Sequence, residues 1–215
     1  MAAFHGDEHY QTIIRQILLQ GNIGVFLETG AYHADSSIYV AQFVKKVYTC
    51  EIRRDFCDTA QDHIDKSGFK ENISLYNEPS QTFIPRFLPL LVELESVLVF
   101  LDAHWQDDWP LEKELALCAE LQKKHPGKLV VVIDDFDVPG NPRMTGSAGG
   151  GGTVGDPIYG PRLAVDPTPC SVETFGKYFE GFKQVWYPDY PGNWPGYAIL
   201  SDMELKLGPD VVRAR

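Results

Sequence analysis

Four short apolar runs in the sequence end on a carboxylate, and these side chains are the first candidates for chemistry. They are Glu28, Glu51, Asp102 and Asp134, the last of which is followed directly by Asp135. Ionised carboxylates accept hydrogen bonds from hydroxyl groups and offer the hard oxygen ligands that Mg²⁺ prefers. If the runs are parallel strands, their carboxylates lie at one edge of a sheet. The pattern therefore predicts a binding crevice at that edge.

Residues 24–37 read as a buried strand, a tight turn at Gly30 and the start of a helix. Ligands of open α/β sheets bind at the carboxyl ends of strands, so this turn marks a small-molecule site. Glu51, at the end of the next strand, suits the two hydroxyls of a ribose. The dinucleotide fingerprint GxGxxG is absent after Gly30, which disfavours NAD and FAD. The hydroxyls of Ser36 and Ser37 suit a carboxylate better.

The elements that must position these residues alternate between apolar strands and amphipathic helices. The strands are predicted at 25–28, 46–52, 72–77, 96–103 and 128–135, and the helices at 36–45, 54–66, 80–92 and 111–124. Pro85 and Pro89 should kink or break the third helix. The alternation implies right-handed crossovers and a doubly wound, mainly parallel α/β sheet of about seven strands. Residues 184–187 and 197–202 predict a C-terminal antiparallel pair.

Two segments flank this alternating core. Residues 1–22 are predicted to form a lead-in helix, because apolar residues recur at helical spacing over 8–20 and Gly21 follows them. Such an amphipathic helix is also compatible with a homodimer. Residues 136–170 are rich in Gly and Pro and lack periodicity, which favours a lid loop over the site. We expect one domain over residues 1–215.

Composition excludes several classes of partner. The formal net charge of −11 argues against nucleic acid or an anionic membrane, since neither polyanion is attracted to such a surface. No signal-peptide pattern begins the sequence, and no apolar run approaches ~18 residues. The four cysteines show no metal-ligand spacing, and Cys50 and Cys118, which lie within apolar runs, read as buried thiols. These features predict a cytoplasmic protein that acts on a small molecule.

The ordered motifs of the chain resemble those of class I S-adenosylmethionine-dependent methyltransferases. The resemblance covers residues 24–142 and rests on Leu27-Glu28-Thr29-Gly30-Ala31-Tyr32, Ser36, Thr49-Cys50-Glu51-Ile52, Ser80-Gln81, Val99-Phe100-Leu101-Asp102, Trp105 and Asp134-Asp135. Within that class, the motifs are most similar to the metal-dependent O-methyltransferases of the catechol and macrocin types. One motif alone would be weak, but six in order with natural spacing are fairly specific.

The resemblance implies a role for each matching position. The methionine part of S-adenosylmethionine would be held by Glu28, Gly30, Tyr32 and Ser36. The nucleoside part would be held by Glu51 at the ribose, Ile52 on the adenine, and Ser80 and Gln81 at the adenine edge. Trp105 would wall the cofactor pocket, with Asp102 also in contact with the cofactor. Asp102, Asp134 and Asp135 would bind a divalent cation, Mg²⁺ being the first expectation.

The chain departs from the catechol enzymes at the position of the base. Those enzymes carry a lysine just after the tryptophan, whereas here Trp105 is followed by Gln106. We expect His104 to accept the proton, because its pKa lies near neutrality, with Asp102 as the other catalytic residue. Deprotonation by a metal-bound water or hydroxide would serve as well.

The expected function is a Mg-assisted O-methyltransferase that acts on a hydroxyl of a small organic molecule. One alternative is a metal-independent methyltransferase acting on a carboxylate or amine, in which Asp134-Asp135 is only a solvated turn. Another is a non-catalytic S-adenosylmethionine-binding protein. A nucleotide-sugar or dinucleotide enzyme is disfavoured by the missing glycines.

Overall fold

A mixed sheet of eight strands forms the centre of the computed structural model, which describes residues 3–103, 110–141, 144, 169–191 and 196–214. The strands are β1 Val25–Thr29, β2 Lys46–Cys50, β3 Ile73–Tyr76, β4 Val97–Leu101, β5 Leu129–Ile133, β6 Gln184–Pro188, β7 Ala198–Ser201 and β8 Val211–Arg213. Their order in the sheet is β3-β2-β1-β4-β5-β7-β6-β8. The first five strands are parallel, and β7, β6 and β8 continue the sheet in antiparallel pairs.

Six α-helices lie among these strands. They are α1 Glu8–Gln20, α2 Asp35–Val40, α3 Arg54–Lys66, α4 Ser80–Leu94, α5 Leu111–Lys124 and α6 Val172–Phe175. Short 3-10 helices, at Phe4–Gly6 and Gly176–Gly181, precede α1 and follow α6. Where the structure describes the chain, no helix has the length and apolar character needed to cross a bilayer.

The central strands are buried along their whole length, which explains why they read as continuous apolar runs. Every residue of β1, β4, β5 and β6 is buried. Strands covered on both faces need no polar face, whereas a strand with one wet face would alternate. The inner face of α1 adds Tyr10, Ile13, Ile14 and Ile17 to the same core. The apolar face that suggested a dimer contact is thus buried within the chain.

The prediction of a doubly wound, mainly parallel sheet with an antiparallel C-terminal pair is confirmed. The structure adds a short eighth strand, β8, which the sequence analysis missed because three residues are too few to show the period of a strand. The helix predicted at 80–92 is confirmed, and of the two effects expected from Pro85 and Pro89, a kink or a break, the break does not occur, because α4 runs on through both. Helix α2 ends at Val40, five residues before its predicted end.

Residues 136–170 were predicted to form a lid, and most of them lie outside the described residues. The described ends of this segment are held to the sheet region. Phe136 N donates to Gly196 O at 2.8 Å, and Asp137 N donates to Cys170 O at 2.7 Å. The lid itself stays a prediction.

Candidate functional site

The turn after β1 passes close to the end of β4. Gly30 has φ +81°, and a Cβ placed on it would lie 2.6 Å from the Asp102 carbonyl oxygen. Both the left-handed backbone and the close approach require glycine here. Gly30 N and Ala31 N donate to Cys50 O at 3.0 and 2.9 Å, which ties the turn to β2 as well. The ends of β1, β2 and β4 therefore form one continuous surface.

Glu28 lies buried inside this surface. Its Oε2 accepts hydrogen bonds from Ser37 Oγ at 2.6 Å and Thr49 Oγ1 at 2.7 Å. Burial raises the pKa of Glu28 to about 7, although both hydroxyl bonds oppose that shift. Its carboxyl group links β1, α2 and β2, so Glu28 supports the turn whether or not it also touches a ligand.

Glu51 lies beside the turn, as the strand order requires. Glu51 Oε2 accepts from Tyr32 N at 2.9 Å, and Oε1 accepts from Arg53 N at 2.9 Å. Burial raises its pKa, and these two backbone bonds oppose the rise. A carboxylate has about four lone-pair positions, so capacity for ligand hydroxyls remains on both oxygens. Next to it, Ile52 is 59% exposed, which leaves an apolar surface open for a flat ring.

Ser80 and Gln81 begin α4, where the sequence predicted an adenine edge. The side chain of Ser80 hydrogen-bonds Glu114 of α5, which also bonds Thr29 at the end of β1. Burial raises the pKa of Glu114 to about 7. The sequence analysis did not single out Glu114, although it lies three residues after Leu111 on the inner helix face.

Ser36, predicted near the methionine carboxylate, lies half-buried at the start of α2. Its Oγ accepts a hydrogen bond from Phe4 N at 3.2 Å. The N-terminal 3-10 helix therefore lies against the start of α2.

The carboxylates of Asp102, Asp134 and Asp135 gather at the ends of β4 and β5. Asp134 is fully buried, and Asp135 adopts φ +50° directly after it. Burial raises the pKa of Asp102 well above its usual range, and the negative charges of Asp134 and Asp135 raise it further. The structure thus brings together the three residues predicted to bind a cation.

Two residues that the sequence analysis missed contact Asp134. His5 Nε2 lies 2.8 Å from Asp134 Oδ2, and the Tyr10 hydroxyl donates to Asp134 Oδ1 at 3.1 Å. The charge of Asp134 raises the pKa of His5 to about 9. Burial raises the pKa of Tyr10 well above its ordinary value, so its hydroxyl keeps its proton. No strand or helix pattern marks His5, because it precedes the first periodic segment of the chain.

The donor set fits a divalent cation. One ligand atom each from His5, Asp134 and Asp135 lie within 4.8 Å of one another. Ligand bonds of about 2.0–2.2 Å bring neighbouring ligand atoms closer than that, so small side-chain shifts suffice. Asp102 adds a third carboxyl group whose proton affinity the neighbouring charges already raise.

Two predicted residues, His104 and Trp105, lie outside the described residues. Their roles as base and pocket wall stay predictions. The remaining predicted positions, Glu28, Gly30, Tyr32, Ser36, Glu51, Ile52, Ser80, Gln81, Asp102, Asp134 and Asp135, belong to the turn after β1, the ends of β2, β4 and β5, and the starts of α2 and α4. Their contacts with cofactor and cation stay predictions too.

Comparison with known proteins points to a class of enzyme. Catechol O-methyltransferase of mouse (Mus musculus) is 30% identical over 142 residues, which is 64% of this chain and 51% of the mouse protein. Catechol O-methyltransferase of pig (Sus scrofa) is 28% identical over 145 residues, 65% of this chain and 75% of the pig protein. The chain thus matches about half the length of the mouse relative. No protein-family model matches the chain.

Solved structures support the same fold. The O-methyltransferase of Bacillus cereus in complex with S-adenosylhomocysteine superposes with a TM-score of 0.58 at 17% identity, over 92% of this chain and 83% of that one. The fold is that of a Rossmann-like methyltransferase. The resemblance to class I S-adenosylmethionine-dependent methyltransferases is confirmed, since the two curated relatives above are both O-methyltransferases.

Proposed function

We propose that the protein is an S-adenosylmethionine-dependent O-methyltransferase that uses a divalent cation, with Mg²⁺ as the first expectation, to methylate a hydroxyl of a small organic molecule. One observation carries this proposal. A Cβ on Gly30 would lie 2.6 Å from the Asp102 carbonyl oxygen, so the turn predicted to hold the methionine part adjoins the carboxylate cluster. Methyl transfer to a metal-held oxygen requires such neighbouring sites.

The residues around the turn are suited to holding the cofactor, which supplies the methyl group when it is bound. The Glu51 carboxylate would accept hydrogen bonds from both ribose hydroxyls, and exposed Ile52 would cover one face of the adenine. Ser36 would face the methionine carboxylate. Glu114 holds Ser80 at the adenine edge through a buried hydrogen bond, which fixes the start of α4.

At the carboxylate cluster, Asp102, Asp134 and Asp135 would hold the cation and orient the acceptor. A divalent cation held there would act as a Lewis acid that lowers the pKa of an acceptor hydroxyl. The buried Tyr10 hydroxyl fixes one oxygen of Asp134 by donating to it. An acceptor with two neighbouring oxygens fits such a site best, because both oxygens could reach the same cation. Catechols, vicinal diols and hydroxy acids meet this requirement.

The cofactor assignment can be tested by calorimetric titration of S-adenosylhomocysteine. Glu51→Gln is expected to weaken binding by about 1.5–3 kcal/mol, because hydrogen bonds to a charged acceptor are lost. The matched control is Glu95→Gln, since Glu95 precedes β4 at the opposite edge of the sheet and pairs with Lys45 at 2.7 Å. Unchanged affinity in Glu51→Gln, or an equal loss in the control, would contradict the ribose assignment.

The reaction is tested with a panel of catechols, diols and hydroxy acids, assayed with and without EDTA. We expect turnover that EDTA abolishes and added Mg²⁺ restores. Turnover that ignores EDTA would overturn the cation role and favour the metal-independent alternative. Tight cofactor binding without methylation of any acceptor would favour a non-catalytic binding protein.

A further inference from the structure

We infer that His5 is a protein ligand of the cation, so that the N-terminal 3-10 helix completes a mixed nitrogen and oxygen site with Asp134 and Asp135. The strand ends supply only carboxylates, and His5 adds an imidazole from outside the sheet. The inference deepens the proposed function and rests on its cation site. It predicts that the imidazole of His5 strengthens the preference of that site for transition-metal ions over Mg²⁺.

The position of the imidazole carries the first step. His5 Nε2 lies 2.8 Å from Asp134 Oδ2, and one ligand atom each of His5, Asp134 and Asp135 lie within 4.8 Å of one another. Three donor atoms from two distant parts of the chain therefore converge on one point. The side chain of His5 is 38% exposed, whereas that of Asp134 is 1% exposed.

The second step is that the segment before α1 is fixed in place. Phe4 is buried, with its ring 5.3 Å from that of Phe100 on β4 and 5.1 Å from that of Tyr10. Asp7 caps α1 by accepting from His9 N and Tyr10 N, and the Tyr190 hydroxyl donates to its other oxygen. His5 is thus anchored from both sides rather than carried on a loose terminus.

The third step is the orientation of the shared carboxylate. The buried Tyr10 hydroxyl donates to Asp134 Oδ1, while Oδ2 faces His5. Hydrogen bonds of this kind orient metal ligands in proteins and are worth about 10- to 100-fold in metal affinity. Tyr10 is therefore a positioning residue for the cation site.

The types of ligand atom predict which metal ions the site prefers. Imidazole nitrogen suits Zn²⁺, Fe²⁺ and related ions, whereas Mg²⁺ favours oxygen ligands and keeps its waters. Any site binds Co²⁺ more tightly than Mg²⁺ to some degree. The informative quantity is therefore how much the ratio of Co²⁺ affinity to Mg²⁺ affinity depends on His5.

The test titrates Co²⁺ and Mg²⁺ separately into the metal-free full chain, by calorimetry and by the visible absorption of Co²⁺. His5→Gln is expected to lower Co²⁺ affinity at least about tenfold, as a lost ligand should cost no less than a lost orienting partner. Mg²⁺ affinity should fall less, and the Co²⁺ absorption should shift. The control is His9→Gln, because His9 lies four residues further on, in the first turn of α1, and contacts Asp210 at 2.9 Å.

A second readout does not depend on affinity. Mn²⁺ should broaden the ring proton resonances of His5 and leave those of His9 much sharper. If His5 only forms an ion pair with Asp134, His5→Gln will keep or raise Co²⁺ affinity, because the competing imidazolium is gone. That result, or equal broadening of both rings, would overturn the inference, and a thermal melt of each variant checks folding.

Parallel titration with S-adenosylhomocysteine separates this inference from the proposed function. Binding of the cofactor product without His5-dependent Co²⁺ binding would refute the ligand and leave the methyltransferase standing. His5-dependent Co²⁺ binding without cofactor binding would refute the methyltransferase and support the metal site.

Discussion

Gly30 is the residue at which the turn after β1 approaches the backbone of Asp102, so that the proposed cofactor and cation sites adjoin there. Its φ of +81° lies in the region that favours glycine, and the backbone of Asp102 leaves no space for a side chain. A substitution here therefore meets both backbone strain and a clash with main-chain atoms, which cannot rotate away.

Gly30→Ala is expected to destabilise the fold by about 2–5 kcal/mol, from left-handed strain of about 1–2 kcal/mol and overpacking of about 1–3 kcal/mol. The control is Gly68→Ala, because Gly68 also has φ +81° but has nothing within 4 Å of an added Cβ. In urea denaturation, the control should lose only the free energy of unfolding that the left-handed strain accounts for. Equal losses in the two variants would mean that the contact with Asp102 carries no energy.

Sequence analysis reached the strand-end residues because parallel strands force their ends to one edge. Once the strands were predicted correctly, Glu51 and the Asp134-Asp135 pair could be placed at the same edge of the sheet. His5 could not be reached in this way, because its place depends on how Phe4 packs against Phe100 across the fold. No sequence pattern singled out Tyr10, and only the three-dimensional structure shows its hydroxyl at Asp134.

Among the helices, α4 is the one whose own sequence disfavours helix formation. It contains Pro85 and Pro89 and still runs from Ser80 to Leu94. Its buried face, which includes Phe83, Ile84 and Leu88, packs into the core and offsets the lost backbone hydrogen bonds. Local propensity predicted a break here, and burial outweighed it.

Pro85→Ala is expected to stabilise the protein by about 2–2.6 kcal/mol. Proline costs about 3 kcal/mol relative to alanine inside a helix, and the greater freedom of the unfolded alanine chain offsets about 0.4–1 kcal/mol of the gain. Pro85 is exposed, so little packing is lost. Pro79→Ala is the control, because Pro79 precedes the helix as its N-cap. Thermal melts that show no gain for Pro85→Ala would contradict this account.

For the whole molecule, buried acids connect stability to pH. Glu28 and Glu114 both have a pKa raised by burial to about 7, against an ordinary 4.5. Between those values the folded state binds more protons than the unfolded chain. The stability they contribute is fully present below pH 4.5 and is lost as pH rises through about 7.

Glu114→Gln tests this linkage without removing a residue assigned to the cofactor or the cation. The wild-type free energy of unfolding should fall between pH 5 and 8, and the variant should lose about 3 kcal/mol of that fall. Glu120→Gln is the control, as Glu120 is exposed on the same helix and pairs with Lys124. Parallel pH profiles for wild type and Glu114→Gln would show that Glu114 ionises normally in the fold.

The position of β7 between β5 and β6 has a consequence for synthesis of the chain. β6 is made first, yet within the described sheet it pairs only with β7 and β8, both of which follow it. When the ribosome has synthesised the chain only as far as β6, the edge of β5 that later pairs with β7 has no neighbouring strand. At that stage β6 also has no strand with which to form its hydrogen bonds. Exposed edges of this kind promote aggregation, so a truncated or stalled nascent chain ending before Ala198 is the form most in need of a chaperone.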